Sequence, residues 1–254
     1  MAELLSVLQN AGLLLVVLTL VWLLSLALHN AAIVDVAWGL GFILVAGVTW
    51  LRSPRDEHAT WLLLVVTVWG ARLALHIFWR GRGKPEDARY QKLRARFAPF
   101  WWKSFFVVFM LQGVLLLTVS LPVQLGMAAR DFTVVDAVGL AVFVLGFFIE
   151  ATADLQLAMC KKPGEVMARG LWRYSRHPNY FGELVLWWGI GVLALSPSTW
   201  WASLLGPALI SFLLLRVSGV PMLEEQMQAR PGWAEYAART SAFWPRPPRR
   251  IGAP

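Results

Sequence analysis

Long apolar runs separated by short charged segments set the pattern of this chain. A bilayer-crossing helix needs roughly 20 apolar residues at about 1.5 Å each, and runs of that size fall near 4–28, 32–51, 61–79, 104–126 and 134–158. The stretch 181–217 is too long for one span, and the turn-forming Ser196-Pro197-Ser198-Thr199 divides it into two short helices. The pattern predicts an all-α integral membrane protein of seven transmembrane helices. Residues 1–254 read as one multi-pass domain without internal repeats, and the Pro- and Arg-rich end over 246–254 reads as a flexible tail. The first run lacks a basic leader and a clear cleavage site, so it is expected to stay as a helix.

Composition agrees: 58% of residues are hydrophobic and mean hydropathy is +0.58, well above a soluble domain. The net charge of +8 needs no nucleic acid to explain it. Of 23 Lys and Arg, eight lie in 80–103, five in 159–180 and six in 216–254, whereas the alternate links 52–60, 127–133 and 196–199 hold only Arg52, Arg55 and Arg130. By the positive-inside rule the N-terminus lies outside and the C-terminus in the cytoplasm. One cysteine, Cys160, excludes an internal disulfide, and the four histidines have no zinc-ligand spacing, so no metal is expected.

Ionisable residues inside spans cost about 2.5–3.5 kcal/mol on insertion scales, so each marks a helix end or a polar cavity. Asp35 lies about a turn inside span two and either snorkels or, buried and uncharged, donates a proton. Arg72 and His76 are one turn apart in span three, as are Glu150 and Asp154 late in span five; they are either structural ion pairs or parts of a site. Gln112 in span four bridges helices or contacts substrate. Between spans three and four, Pro85, Glu86 and Asp87 open a helix on which Arg89, Lys92 and Arg96 share one face and Tyr90, Leu93 and Phe97 another. That helix suits either an anionic lipid surface or a cofactor phosphate.

The segment GLWRYSRHPNYFGE, Gly170 to Glu183, concentrates charge at the edge of the apolar part. Positive-inside bias accounts for Arg173 and Arg176 but gives no reason for Asn179 or Glu183. GLGFILVAG lies within a span with no strand before it, so it is no dinucleotide-binding turn, and there is neither a P-loop nor a serine elbow. A nucleotide would have to be held by helices and cytoplasmic loops.

At KKPGE (161–165), GLWRYSRHPNYFGE (170–183) and SGVPMLEEQ (218–226) the chain resembles the membrane reductases typified by steroid 5-alpha-reductase. It looks closest to a bacterial branch of that superfamily with an RGRGKPEDARY-like loop and an acid shortly before Trp-Gly in span two. The resemblance covers about 30–245. It implies seven spans in the bacterial inner membrane, NADPH in a cytoplasm-facing cavity and a lipid-like substrate entering from the bilayer. It also implies that Asn179 and Glu183 lie at the nicotinamide end, that Asp154 contacts the cofactor, and that Glu150 stands where the family has an asparagine. Lys161, Arg80 and Arg82 fall at phosphate-binding positions, and Arg216 matches an arginine late in the last span. Asp35 matches the acid of a Gln-Glu pair that polarises the substrate carbonyl, with Val34 in place of the glutamine. Val220 and Glu224 stand where the steroid enzymes have a histidine and a tyrosine. The proton-donating tyrosine of span three has no counterpart, which leaves His76 or Asp35 alone for that task.

The expected reaction is hydride transfer from NADPH to an activated carbon–carbon double bond of a steroid enone or related lipid, an oxidoreductase acting on CH–CH groups. Arg80, Arg82, Lys161, Arg173 and Arg176 would pair with the cofactor phosphates, since guanidinium matches phosphate oxygens in a fork. Asp35, His76 and Glu183 are the candidate catalytic residues; Glu150, Asp154, Asn179, Arg216 and Glu224 join the basic residues as cofactor contacts. The expected partners are a hydrophobic substrate and membrane lipids. A rival comes from isoprenylcysteine and phospholipid methyltransferases, which use S-adenosylmethionine and share an RHPxY turn and a later EE and tyrosine, here Arg176 to Tyr180, Glu224, Glu225 and Tyr236. A third reading is a non-catalytic lipid-binding protein. The supply of basic residues, the acid pair and Asn179 favour the reductase.

Overall fold

Apolar segments in a bilayer must satisfy their backbone groups internally, and helices do so. A computed structural model of the chain, which describes residues 1–160 and 165–249, has no strand among those residues. The helices are α1 (Ala2–Ala27), α2 (Ile33–Arg52), α3 (Glu57–Gly81), α4 (Ala88–Arg96), α5 (Phe100–Ser104), α6 (Leu111–Val119), α7 (Leu121–Gly126), α8 (Val134–Cys160), α9 (Pro178–Leu193), α10 (Trp200–Phe212), α11 (Val220–Met227) and α12 (Trp233–Arg239). A π-helical turn, Phe105–Met110, joins α5 to α6, a second, Leu213–Val217, follows α10, and a 3-10 turn covers Gly170–Arg173.

Among the described residues, six helical segments are long and apolar enough to cross a bilayer: Glu3–Ala27, Ile33–Arg52, Glu57–Gly81, Phe100–Gly126, Val134–Met159 and Trp200–Met227. The division of 181–217 into two helices is seen, with a break at 194–199. Of those two, α9 has 16 residues, short of the length a span needs. The fourth run is not one regular helix either, because Pro122 cannot donate into a continuing ladder and the chain steps from α6 to α7 at Ser120.

The chain divides into two compact units, one of Met1–Thr133 with Ala194–Gly206 and the other of Val134–Leu193 with Pro207–Pro254. In the first, α2 and α3 meet at Gly39 and Gly70, where a Cβ on either would press into the other's carbonyl oxygen. Small residues permit this backbone approach, and dispersion between the touching helices replaces the hydrophobic drive that lipid cannot supply. Asn10 on α1 donates to Thr49 Oγ1 on α2 and to Gln124 Oε1 on α7, both at 3.0 Å. That link ties three apolar helices with bonds expensive to leave unmade in a lipid environment.

In the second unit α8 and α9 pack along a ladder of glycines. A Cβ at Gly139 or Gly146 on α8, or at Gly182 or Gly189 on α9, would sit inside 3.0 Å of the facing backbone. Seven-residue steps on both helices keep these glycines on the shared face. The ladder brings the late turns of α8, with Glu150 and Asp154, alongside the first turns of α9.

Toward Arg249, the last described residue, the chain is hydrogen-bonded back to the fold. Arg246 N–H donates to Tyr174 O and Arg249 N–H to Arg239 O, each at 2.9 Å, and the Trp244 ring packs edge-on against Phe181. The tail expected over 246–254 is thus tied down as far as Arg249, and the rest lies outside the described residues.

Candidate functional site

In the first unit the polar centre forms around Asp35, in the first turn of α2. Arg89 Nη2 donates to its Oδ2 at 2.6 Å and Tyr90 O–H to its Oδ1 at 2.5 Å. Gln112 Nε2 donates to Tyr90 Oη at 3.2 Å. Helix α4 delivers both donors because Asp87 caps it, accepting from Arg89 N–H at 2.9 Å. Asp35, expected either to snorkel or to donate a proton, accepts hydrogen bonds through both its oxygens here, one of them from a guanidinium. The hydroxyl here belongs to Tyr90.

Burial, and next the Asp35 charge, push the Tyr90 phenol well above its ordinary range, so it keeps its proton at neutral pH. Burial works against the Arg89 cation, but Asp35 and Asp87 outweigh it and raise its pKa. Burial alone would raise Asp87, yet its bonds with Arg89 hold it below the usual carboxylate value. The face shared by Arg89, Lys92 and Arg96 is also corrected: Arg89 turns inward, leaving Lys92 and Arg96 exposed. Arg72 and His76 lie half-buried on α3, while Arg80 and Arg82 are exposed at its end, Arg82 over the Trp79 ring.

In the second unit Glu150 and Asp154 are both buried on α8. Asn179 on α9 donates from Nδ2 to Asp154 Oδ1 at 3.1 Å, and its own Oδ1 is buried without a hydrogen bond. Glu183 is half-buried one turn further along.

The 170–183 block is laced to the C-terminal segment. Trp172 Nε1–H donates to Ala153 O at 2.9 Å, anchoring the 3-10 turn on α8. Tyr236 O–H reaches Trp172 O at 2.7 Å, and Ser175 Oγ donates to Phe243 O at 2.7 Å. Arg176 is the hub. Its guanidinium pairs with both Glu224 oxygens, at 2.7 and 2.9 Å, donates to Ala237 O and Thr240 O at 2.8 and 3.2 Å, and lies over the Trp233 ring. His177 Nε2 meets Glu224 Oε1 at 2.9 Å. Burial lowers the His177 pKa despite the pull of Glu224, and burial raises the Tyr236 phenol.

Arg176 and Glu224, expected on the cofactor, are thus engaged with each other. Arg173 and Arg216 are exposed and form no ion pair among the described residues, and Lys161 lies outside them. Sequence reasoning named Tyr90 and Arg176 but missed their partners, Asp35 and Glu224. The available signal for Tyr90 was its place three residues after the capping Asp87, which sets it on the inner face of a short amphipathic helix.

Bilayer-length apolar helices joined by basic loops, with buried acids and amides near the loop ends, define a multi-pass membrane protein with polar centres inside an apolar frame. Residues 21–240 match the model of DUF1295, a family of proteins of unknown function, and the chain belongs to that family. It is 39% identical over 72 residues to steroid 5-alpha-reductase DET2 of Arabidopsis thaliana, covering 26% of each chain. It is 37% identical over 62 residues to the protein of the same name from Gossypium hirsutum, covering 23% of this chain and 24% of that one. The match spans about a quarter of the length of these curated relatives. Together these similarities support its place in the membrane steroid 5-alpha-reductase superfamily.

Proposed function

We propose that this protein is a membrane-embedded, NADPH-dependent reductase of an activated carbon–carbon double bond in a lipid-like substrate. In this reading it has seven spans, α9 being the short one, with the N-terminus outside and the C-terminus in the cytoplasm.

The observation that carries the reading is Asn179. Its amide is oriented by Asp154, while its buried Oδ1 has no hydrogen-bond donor in the protein. Such an acceptor is costly unless a ligand supplies the donor, and the carboxamide of nicotinamide has N–H groups to offer. NADPH, when bound, supplies the hydride. Asn179 and Asp154 hold the nicotinamide end, with Glu150 and Glu183 beside them in sequence. Arg173 and Arg216 are this unit's exposed candidates for the cofactor phosphates; Arg80, Arg82 and Lys161 are candidates by the resemblance alone. Arg176 and Glu224 brace the C-terminal segment instead.

Tyr90 joins Asp35 and His76 as a candidate for the proton-donor role. Its hydroxyl remains protonated, and Asp35 orients it by accepting from it. To stabilise negative charge developing on an enone oxygen, that hydroxyl would give up its bond to Asp35 Oδ1 and turn its one proton to the substrate.

Thermal unfolding of the detergent-solubilised protein tests the cofactor assignment. NADPH at 100 times its dissociation constant should add about 2.7 kcal/mol of stability. Asn179→Ala and Asp154→Ala should weaken that response, whereas Tyr90→Phe should keep it and remove turnover. Stabilisation by S-adenosylmethionine and not by NADPH would overturn the reading.

A further inference from the structure

We propose that α4 is a strap held down by anionic lipid headgroups, which keep Arg89 and Tyr90 seated on Asp35. The helix has two unlike faces. Its inner face sends Tyr90, Leu93 and Phe97 into a buried cluster with Leu18, Val34, Phe100 and Val108. Two polar ties reinforce that seat: the bonds to Asp35, and Glu86 Oε1, which accepts from Ala31 N–H at 2.7 Å.

The outer face carries Lys92 and Arg96, one turn apart and exposed. The carboxylates of the neighbourhood are already engaged, Glu86 with Arg94 and both Asp87 and Asp35 with Arg89. Lys92 and Arg96 therefore form no ion pair with the protein among the described residues. Just beyond α4, Trp101 and Trp102 stand exposed at the start of the fourth apolar run, with Lys103 over the Trp102 ring. Exposed tryptophans at the end of a span sit at headgroup level, and cations beside them meet lipid phosphates. A nine-residue helix is marginal by itself, so it depends on what holds both faces. An anionic surface complements the outer one.

The consequence is a polar centre whose assembly responds to bilayer composition, whatever reaction it serves. The full chain would be placed in nanodiscs of phosphatidylcholine alone or with phosphatidylglycerol, and amide hydrogen exchange followed over 86–97. Exchange should slow in the anionic bilayer by about fivefold for each of the two cations, about thirtyfold together. Lys92→Gln with Arg96→Gln should abolish the difference while amides of α8 keep their protection, which shows that the variant is folded. Equal exchange in the two bilayers, or a difference that survives in the double variant, would overturn the proposal. So would slowing by NADPH in phosphatidylcholine alone that the double variant loses, since Lys92 and Arg96 would then serve cofactor phosphates. None of these readouts uses turnover, so the strap and the proposed reductase activity can fail separately.

Discussion

Arg176→Ala separates a structural arginine from a phosphate-binding one. The change removes two charge-assisted bonds to Glu224 and two bonds to the carbonyls of Ala237 and Thr240. The side chains of the pair are only 13% and 23% exposed, so water replaces little of what is lost. Breaking a fully buried pair from one side costs about 3–5 kcal/mol. The partial exposure of Glu224 and its remaining contact with His177 reduce this to about 2–3 kcal/mol, and the lost cation–π contact with Trp233, at 5.6 Å, adds about 0.5 kcal/mol. A total near 3 kcal/mol lowers the Tm by roughly 6–12 °C for a chain of this size. Thermal unfolding of the detergent-solubilised full chain, followed by tryptophan fluorescence, measures it. Arg176→Ala combined with Glu224→Gln should be less damaging than the sum of the two, because each single change strands the other partner. A loss below about 1 kcal/mol, the worth of a surface pair, would refute the reasoning. An unchanged Tm with a lost NADPH response would return Arg176 to the cofactor.

Burial holds the folded His177 pKa below its ordinary value of 6.5. The unfolded chain then binds a proton more readily as pH falls through that value, so stability should decline below about pH 6.5, and His177→Gln should flatten the decline in Tm measured from about pH 8 to 5. Gly182→Ala forces a Cβ into the backbone of Glu150 and should cost about 1–3 kcal/mol despite better helix propensity. The control Gly47→Ala, with nothing within 4 Å of the new Cβ, should gain up to about 1 kcal/mol in the same unfolding assay. Tyr90→Phe leaves Gln112 Nε2 without this acceptor and Asp35 with one donor fewer, for a loss of about 1–2 kcal/mol.

Helix positions were legible because a spanning segment announces itself by length and hydrophobicity alone. The break at 194–199 was equally plain, since Ser-Pro-Ser-Thr cannot continue a helix cheaply. The partners of the charges were not legible. Arg173 and Arg176 have the same relation to the positive-inside rule, yet one is exposed and the other is enclosed by Glu224, 48 residues away. Nothing in the local pattern distinguishes them, because the difference comes from how α11 and α12 fold back. Asp35 shows the same problem in the first unit. Its position inside a span signalled unusual chemistry, but the hydrogen bonds it accepts come from Arg89 and Tyr90, more than 50 residues downstream.

Those long-range pairings reduce the set of groups available for ligands. An acid or base with a protein partner of opposite character has its desolvation cost offset, so its burial calls for no ligand. By that criterion Asp35, Arg89, Arg176 and Glu224 are accounted for within the fold. Asn179 is not: one half of its amide is bonded to Asp154 while the buried oxygen of the other half accepts nothing. A buried amide oxygen left without a donor is destabilising by about 1–3 kcal/mol, a cost that a bound group with an N–H to donate would remove. Motif resemblance and hydrogen-bond need thus converge on one side chain by independent routes. The arginines nearby have only the first of these arguments, which is why the cofactor assignment rests on Asn179 and not on the number of positive charges around it.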